Sequence, residues 1–256
     1  MLTLYSFGPG ANSLKPLLAL YEKGLAFTPR FVDPTRFEHH EDWFKKINPR
    51  GQVPALDHDG HIITESTVIC EYLEDAFPDA PRLRPTDPVA IAEMRVWTKW
   101  VDEYFCWCVS TIGWERGIGP MARALSDEEF EEKVKRIPVP EQQAKWRSAR
   151  AGFPKAVLDE EMRKIRVSID RLEKRLSESE WLAGETYTLA DVCNFAIANG
   201  MEKGFDDIVN PTATPHLVAW IERINARPAA IEMFAKSKNE FANRKPFAKR
   251  EEQAPA

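Results

Sequence analysis

The hydrophobic pattern changes period once along the chain. Over residues 1–80, short apolar runs alternate with amphipathic ones. Residues 2–7 (LTLYSF) and 27–33 read as strands, and residues 13–24 between them keep apolar positions at helical spacing. A short amphipathic stretch, EDWFKKIN, follows at 41–48, then two strands around Asp59-Gly60, a favoured hairpin-turn pair, then a helix over about 66–77. That order, βαβ followed by αββα, predicts a small mixed sheet with helices on both faces. FPDAPRLRPTDP (77–88) carries four prolines in twelve residues and reads as a connection, with the linker proper at 81–88.

From residue 89 to about 240 only helical periodicity remains, which predicts an all-helical second domain. Trp97, Trp100, Tyr104, Trp107 and Thr111 follow one face of a long helix, and the Leu-, Glu-, Lys- and Arg-rich residues 156–178 form another. TLADV (188–192) is a capping box, with Thr188 at the cap and Asp191 three residues on. Residues 113–152 look less regular, punctuated by Gly and Pro around a short acidic helix near SDEEFEEKVKR; so long a segment between helices is often functional. Residues 241–256, with their Pro/Ala ending, read as a flexible tail.

Composition adds exclusions. The 256 residues are 43% apolar with a net charge of −5, an ordinary globular balance that argues against a dedicated nucleic-acid binder. The one local basic cluster, Lys236 to Arg250, reads as part of the solvated tail. There is no signal-like opening and no apolar run long enough to span a membrane, and four cysteines without a familiar spacing suit free thiols, so a cytoplasmic protein is expected. Cys106 and Cys108, two apart on a helix, point to different faces, and the histidines of HDGH (58–61) flank a turn; no metal site is expected from either pair.

Three short stretches carry candidate chemistry. GPGANSLKP (8–16) joins the first strand to the first helix, with Asn12 and Ser13 where the helix should begin and Pro16 in its first turn. Such a start is either simply capped or a holder of an anion or thiolate. In RGQVPALDHDG (50–60), Pro54 at the head of a strand suggests an edge position or a cis peptide. A cis Val53-Pro54 would turn the Val53 backbone outward to pair with an extended, peptide-like ligand; a plain strand-start proline is the other reading. In TESTVICEYLED (64–75), Ser66 is a natural N-cap beside Glu65, and a free helix start there would hold a carboxylate while Glu65 meets an ammonium.

Taken together, NPRGQVPAL, ITES and TLAD, set between a βα start and a helical second half, resemble the glutathione transferase superfamily across residues 2–235. The resemblance implies a thioredoxin-like α/β domain (1–80), an all-α domain (89–240), glutathione as co-substrate, no metal and a homodimer. It implies that Val53, in the turn made by Pro54, pairs with the cysteinyl backbone of glutathione. Glu65 and Ser66 would hold the γ-glutamyl end, while Gln52 and His40, or its neighbour His39, reach the glycyl end. The sulfur would sit at the first helix, where relatives use Tyr, Ser or Cys. Here Asn12 occupies the cysteine position of the beta-class pattern and Ser13 follows it. Lowering a thiol pKa of about 8.5 by about two units takes about 2.7 kcal/mol, within reach of helix amides and one donor.

A narrower resemblance runs through FGPGANSLKP, DWFKKINPRGQVPAL, ITESTVICEYLED, RVWTKWVDEYFCWCVSTIGW and PVPEQQAKWRSARAGFP. These segments resemble the bacterial glutathione-dependent β-etherases of lignin breakdown, of the β(S)-selective type. The resemblance implies that glutathione thiolate displaces a phenol from the β-carbon of an aryl ether ketone. Tyr104, Trp107 and Cys108, with Trp146 from the long segment, form either a flat apolar slot for its aryl rings or part of the core or a dimer interface. The alternatives on the same scaffold are another glutathione transferase, isomerase or dehalogenase, or a non-catalytic protein that binds glutathione or a partner.

Overall fold

The computed structural model describes residues 1–242; the tail from residue 243, with the end of the basic cluster, lies outside the described residues. The chain begins β1 (Leu2–Ser6), α1 (Ala11–Glu22), β2 (Phe27–Phe31), α2 (Asp42–Lys45), β3 (Ala55–His58), β4 (His61–Thr64) and α3 (Ser66–Ala76). The strands form one sheet in the order β2-β1-β3-β4, with β1 and β2 parallel across the α1 crossover and the other pairs antiparallel. Asp59 (φ 52°) and Gly60 (φ 89°) make the two-residue β3–β4 turn, the left-handed conformation that this dipeptide favours.

The rest is helical: α4 (Pro88–Trp100), α5 (Cys106–Gly113), α6 (Gly119–Arg123), α7 (Asp127–Lys135), α8 (Pro140–Ala151), α9 (Lys155–Glu178), α10 (Leu189–Ala198), α11 (Met201–Gly204), α12 (Pro215–Asn225) and α13 (Pro228–Ala242). α1 joins the two halves. It packs against α3 on one side and against α10 and α13 on the other, so Ser13 through Leu20 are all buried. One apolar core therefore runs from Leu4 and Leu56 of the sheet through Leu18 to Phe195 and Trp220. The charges that this burial traps are paired. Lys15 meets Asp102, Lys23 meets Glu74 at 2.8 Å, and Arg227 grips Glu22 with two bonds of 2.6 and 2.8 Å. The Thr188/Asp191 box is present, and Asp191 also accepts from the Leu182 amide (2.9 Å) and Trp220 Nε1 (3.0 Å); burial pushes its carboxyl up to about 6.

Three local expectations are corrected. Residues 113–152 are mostly helical: Gly113, Gly117, Gly119 and Pro120 lie within helical turns, Pro138 lies between α7 and α8, Pro140 opens α8, Gly152 ends it, and a Ser126/Glu129 capping box opens α7. They bury a second small core of Phe37, Ala122, Phe130, Val134, Ile137 and Trp146. The aromatic stripe is not one straight face, because wide π-helical turns occupy Val101–Phe105 and Trp114–Ile118. Each such turn inserts about one extra residue and rotates the next stretch of helix about its axis. Trp97 is therefore buried while Trp107 is 56% exposed. Finally, neither Asn12 nor Ser13 caps α1 and Ser66 does not cap α3. Gly10 and Glu65 hold those positions, with no side-chain cap bond at either, and Pro16 falls in the second turn of α1.

Candidate active site

The strand register brings the three candidate stretches to one end of the sheet. β1 runs out at Ser6, opposite the residue before Ala55, and Ala55 pairs with Thr64. The loop 7–10, the Val53-Pro54 peptide and the Glu65-Ser66 corner thus lie side by side. All three depart from ordinary backbone. Gly8 (φ 97°) and Ala11 (φ 42°) shape the first, Gly51 (φ 61°) precedes the second, and Glu65 takes φ 68°, ψ 116° at the third. A non-glycine residue in that region stores about 1–3 kcal/mol of strain, and such residues cluster at ligand sites.

The Val53-Pro54 peptide is cis. Among the described residues, neither the amide nor the carbonyl of Val53 has a hydrogen-bond partner. Its neighbour Gln52 is fixed through its own carbonyl, which accepts from Asn48 Nδ2 at 2.7 Å, while Arg50 Nε donates to the Gln52 side chain at 3.3 Å. At the third stretch, Ile69 N–H donates to the Glu65 carbonyl at 2.9 Å. The amides of Ser66, Thr67 and Val68 then remain as the free donors of a helix start. The corner therefore offers an unpaired backbone amide and carbonyl beside a helix N-terminus and a carboxylate.

At the first stretch Asn12 and Ser13 have different settings. Ser13 is buried, and its Oγ accepts a long bond (3.4 Å) from Phe7 N–H. Asn12 is half-buried, and its Oδ1 accepts from the Cys106 thiol at 3.6 Å. Because Pro16 has no N–H, the Asn12 carbonyl also lacks its usual helical donor.

Cys106 and Cys108 do lie on different faces. Cys108 is buried, its thiol donating to Phe105 O at 3.2 Å, and burial pushes its pKa up to about 11. The residue of this pair that meets the first loop is thus Cys106. Burial raises its pKa, with Lys15 opposing. No sequence signal marked Cys106, because the π turn before it sets the angle at which it emerges.

The other sequence-selected residues spread from this point. Tyr104 is half-buried and stacks with Trp100 (6.5 Å). The exposed Trp107 carries the Lys145 ammonium 5.2 Å from its ring centre. Trp146 is buried between Phe37 (4.4 Å) and Trp114 (5.1 Å), and with Phe37, Met121 and Leu125 it lines a cavity of about 200 Å³ that excludes Asn12 and Trp107. His40 is buried against Gly51, where a Cβ would come within 2.6 Å of its Nδ1. Neither of its ring nitrogens has a partner among the described residues, and burial, followed by His39, Arg136 and Lys45, holds its pKa down to about 3. His39 is held to about 4 by burial. Both rings are neutral near pH 7.

All four cysteines are free. Among the described residues no group of three or more His, Cys, Asp or Glu is placed to hold a metal, and no helix is long and apolar enough to cross a membrane.

Comparison with known proteins agrees with this fold. The family model for the glutathione S-transferase N-terminal domain matches residues 1–75, and that for the C-terminal domain matches residues 105–228. The chain is 66% identical over 244 residues to Protein LigF of Sphingobium sp. (strain NBRC 103272 / SYK-6), covering 93% of this chain and 95% of that protein. It is 26% identical to glutathione S-transferase GstA of Escherichia coli O157:H7, covering 87% and 92%. The crystal structure of beta-etherase LigF from Sphingobium sp. strain SYK-6 superposes with a TM-score of 0.90 at 67% identity, over 92% of this chain and 99% of that one. Glutathione transferase F7 from Populus trichocarpa superposes at 0.71 with 25% identity, over 92% and 98%.

Proposed function

Because the chain belongs to the glutathione S-transferase superfamily, we propose that it is a glutathione-dependent β-etherase. The observation that carries this reading is 66% identity to Protein LigF, sustained over 93% of the chain. The substrate is a lignin-derived β-aryl ether ketone, glutathione is the co-substrate, and no metal takes part. The protein works as a homodimer in the cytoplasm, where free thiols persist.

Glutathione lies along the sheet corner. Its cysteinyl backbone pairs with the open amide and carbonyl of Val53, in the turn made by Pro54. Its γ-glutamyl carboxylate meets the Ser66 hydroxyl and the free amides of α3, and its ammonium meets Glu65. Gln52 lies toward the glycyl end, and His40, packed under Gly51, serves the same end.

The sulfur then falls at the start of α1. Asn12 and Ser13 are its candidate donors, and Asn12 is the more accessible. These donors and the α1 amides favour thiolate over thiol. The thiolate attacks the β-carbon, which the adjacent ketone activates, and the carbon inverts as the aryl oxygen leaves. The products are a β-glutathionyl ketone and a phenol such as guaiacol. Tyr104 and Trp107 flank the aryl rings, with Trp146 behind them supporting the wall through Trp114. Cys106, not Cys108, is the thiol that faces this space. The segments that resemble the β(S)-selective type support that enantiomer.

The test is incubation with glutathione and a racemic β-guaiacyl ether ketone, followed by chiral chromatography. Guaiacol should appear with consumption of the β(S) enantiomer only. No guaiacol in the presence of glutathione would refute the reading.

A further inference from the structure

Lys145 projects from α8 toward α5. Its Nζ lies 4.7 Å from the centre of the Trp114 ring and 5.2 Å from that of Trp107, and it donates to Ser110 Oγ at 2.9 Å. The ionisable groups that face it are Cys106 of α5 and Glu161 of α9. Glu161 is already paired with Lys164 at 2.9 Å, and among the described residues no carboxylate forms a salt bridge with Lys145. Cys106 in turn reaches Asn12 at 3.6 Å. An ammonium thus stands beside the thiol nearest the sulfur loop, between two indole faces, with N–H donors to spare. Burial lowers its pKa from the ordinary lysine value, with Cys106 and Glu161 opposing.

From this placement we infer that Lys145 is a catalytic general acid that protonates the aryl oxygen leaving in ether cleavage. The inference rests on the β-etherase reading. The sulfur lone pair forms the S–Cβ bond as the Cβ–O bond breaks. The released electron pair goes to the aryl oxygen, and an Nζ–H proton passes to that oxygen. The neutral amine regains a proton from water before the next turnover. A methoxyphenol is a poor leaving group as its anion, so a proton donor placed at the aryl oxygen lowers the barrier where the bond breaks. Trp107 and Trp114 hold the ammonium by their ring faces and take no proton from it.

The test is a leaving-group series in the full chain: β-aryloxy ketones whose phenols run from nitrophenol to guaiacol, with glutathione saturating. For the wild-type protein, kcat/KM should depend weakly on phenol pKa. Lys145→Met should lose about 10²- to 10³-fold on the guaiacyl ether and far less on the nitrophenyl ether, steepening the dependence. Lys145→Arg, which keeps the charge but gives up its proton poorly, should follow Lys145→Met. Glutathione affinity by calorimetry should not change. Ser110→Ala, which removes the hydrogen bond that aims Nζ, should steepen the dependence to a smaller degree and serves should Lys145→Met fold poorly. Parallel losses across the series in both variants, or full rescue by arginine, would overturn the general-acid assignment. A wild-type protein that frees no phenol from any member would refute the β-etherase reading itself, and this step with it.

Discussion

The two walls of the candidate site are built in opposite ways. At the sheet corner, recognition is written in the backbone: open groups at Val53, free amides at the start of α3, and positive φ angles at Ala11, Gly51 and Glu65. Across from it, the wall from Tyr104 to Trp114 is ordinary helix and π turn, and its chemistry lies in rings, a thiol and an ammonium. A backbone site suits a co-substrate that never varies, because its geometry is set by the fold and tolerates little revision. A side-chain site suits a substrate that differs between relatives, because each ring or charge can be exchanged singly. On the proposed reading, glutathione takes the first wall and the aryl ether the second.

The largest effect should come from the few side chains on which the corner does depend. Glu65→Gln with Ser66→Ala should weaken glutathione binding by about 3–5 kcal/mol, as charge-assisted bonds to both ends of the γ-glutamyl group are lost. Calorimetry checks this, and unchanged affinity would remove the proposed binding site.

Next come the two tryptophans of the opposite wall, which should behave differently. Trp146 is 5% exposed and Trp107 56%. Trp146→Ala should therefore cost about 3–5 kcal/mol of stability in urea titrations. Trp107→Ala should shift stability by under about 1 kcal/mol while slowing ether cleavage. Equal losses of stability would mean that Trp107 is core rather than wall.

The sulfur loop belongs to both walls and should show smaller effects. Asn12→Ala and Ser13→Ala should each cost about tenfold in rate, and the double change more, since helix amides continue to stabilise the thiolate. Ser13→Ala also strips the Phe7 amide of its acceptor, so the Asn12 variant gives the cleaner reading. A pH–rate profile with the ultraviolet thiolate band of bound glutathione checks it. A double variant with wild-type rate and thiol pKa would leave activation to the backbone alone.

The smallest effect tests the support behind the corner. His39 and His40 hold pKa values of about 4 and about 3, mainly through burial, below the ordinary value of about 6.5. The unfolded chain therefore takes up protons that the folded chain refuses. Their contribution is full above about pH 6.5 and is lost as pH falls through 6.5 toward 4 and 3. His40→Leu should flatten the fall in urea midpoint between about pH 7 and about pH 5. An unchanged slope would mean that His40 already binds its proton in the folded chain.

The sequence made some of this legible through local chemistry. Asp59-Gly60 announces its turn, the Thr188/Asp191 pair its cap, and the proline of Gln52-Val53-Pro54 an unusual strand start. Periodicity separated the sheet from the helices for the same reason: each side chain answers to its neighbours along the chain. What stayed hidden depends on geometry that no residue type encodes. Ala11 and Glu65 adopt positive φ without being glycine, which moved both helix starts away from the polar residues that should have capped them. The π turn at 101–105 has no residue signature, yet it decides that Cys106 reaches Asn12 while Cys108 enters the core. Lys145 carries no sequence signal of its own; only the fold brings it to Ser110, Trp107 and Trp114.

The division of labour between the walls is tested most directly by pairing two readouts on two variants. Glutathione affinity by calorimetry and guaiacol release from the β-guaiacyl ether ketone would be measured for Glu65→Gln/Ser66→Ala and for Trp107→Ala. The first variant should lose affinity and, when glutathione is raised to saturation, recover most of its rate. The second should keep wild-type affinity and lose rate at any glutathione concentration. If both variants lost affinity and rate together, the two walls would not be separable and the assignment of one ligand to each would be wrong.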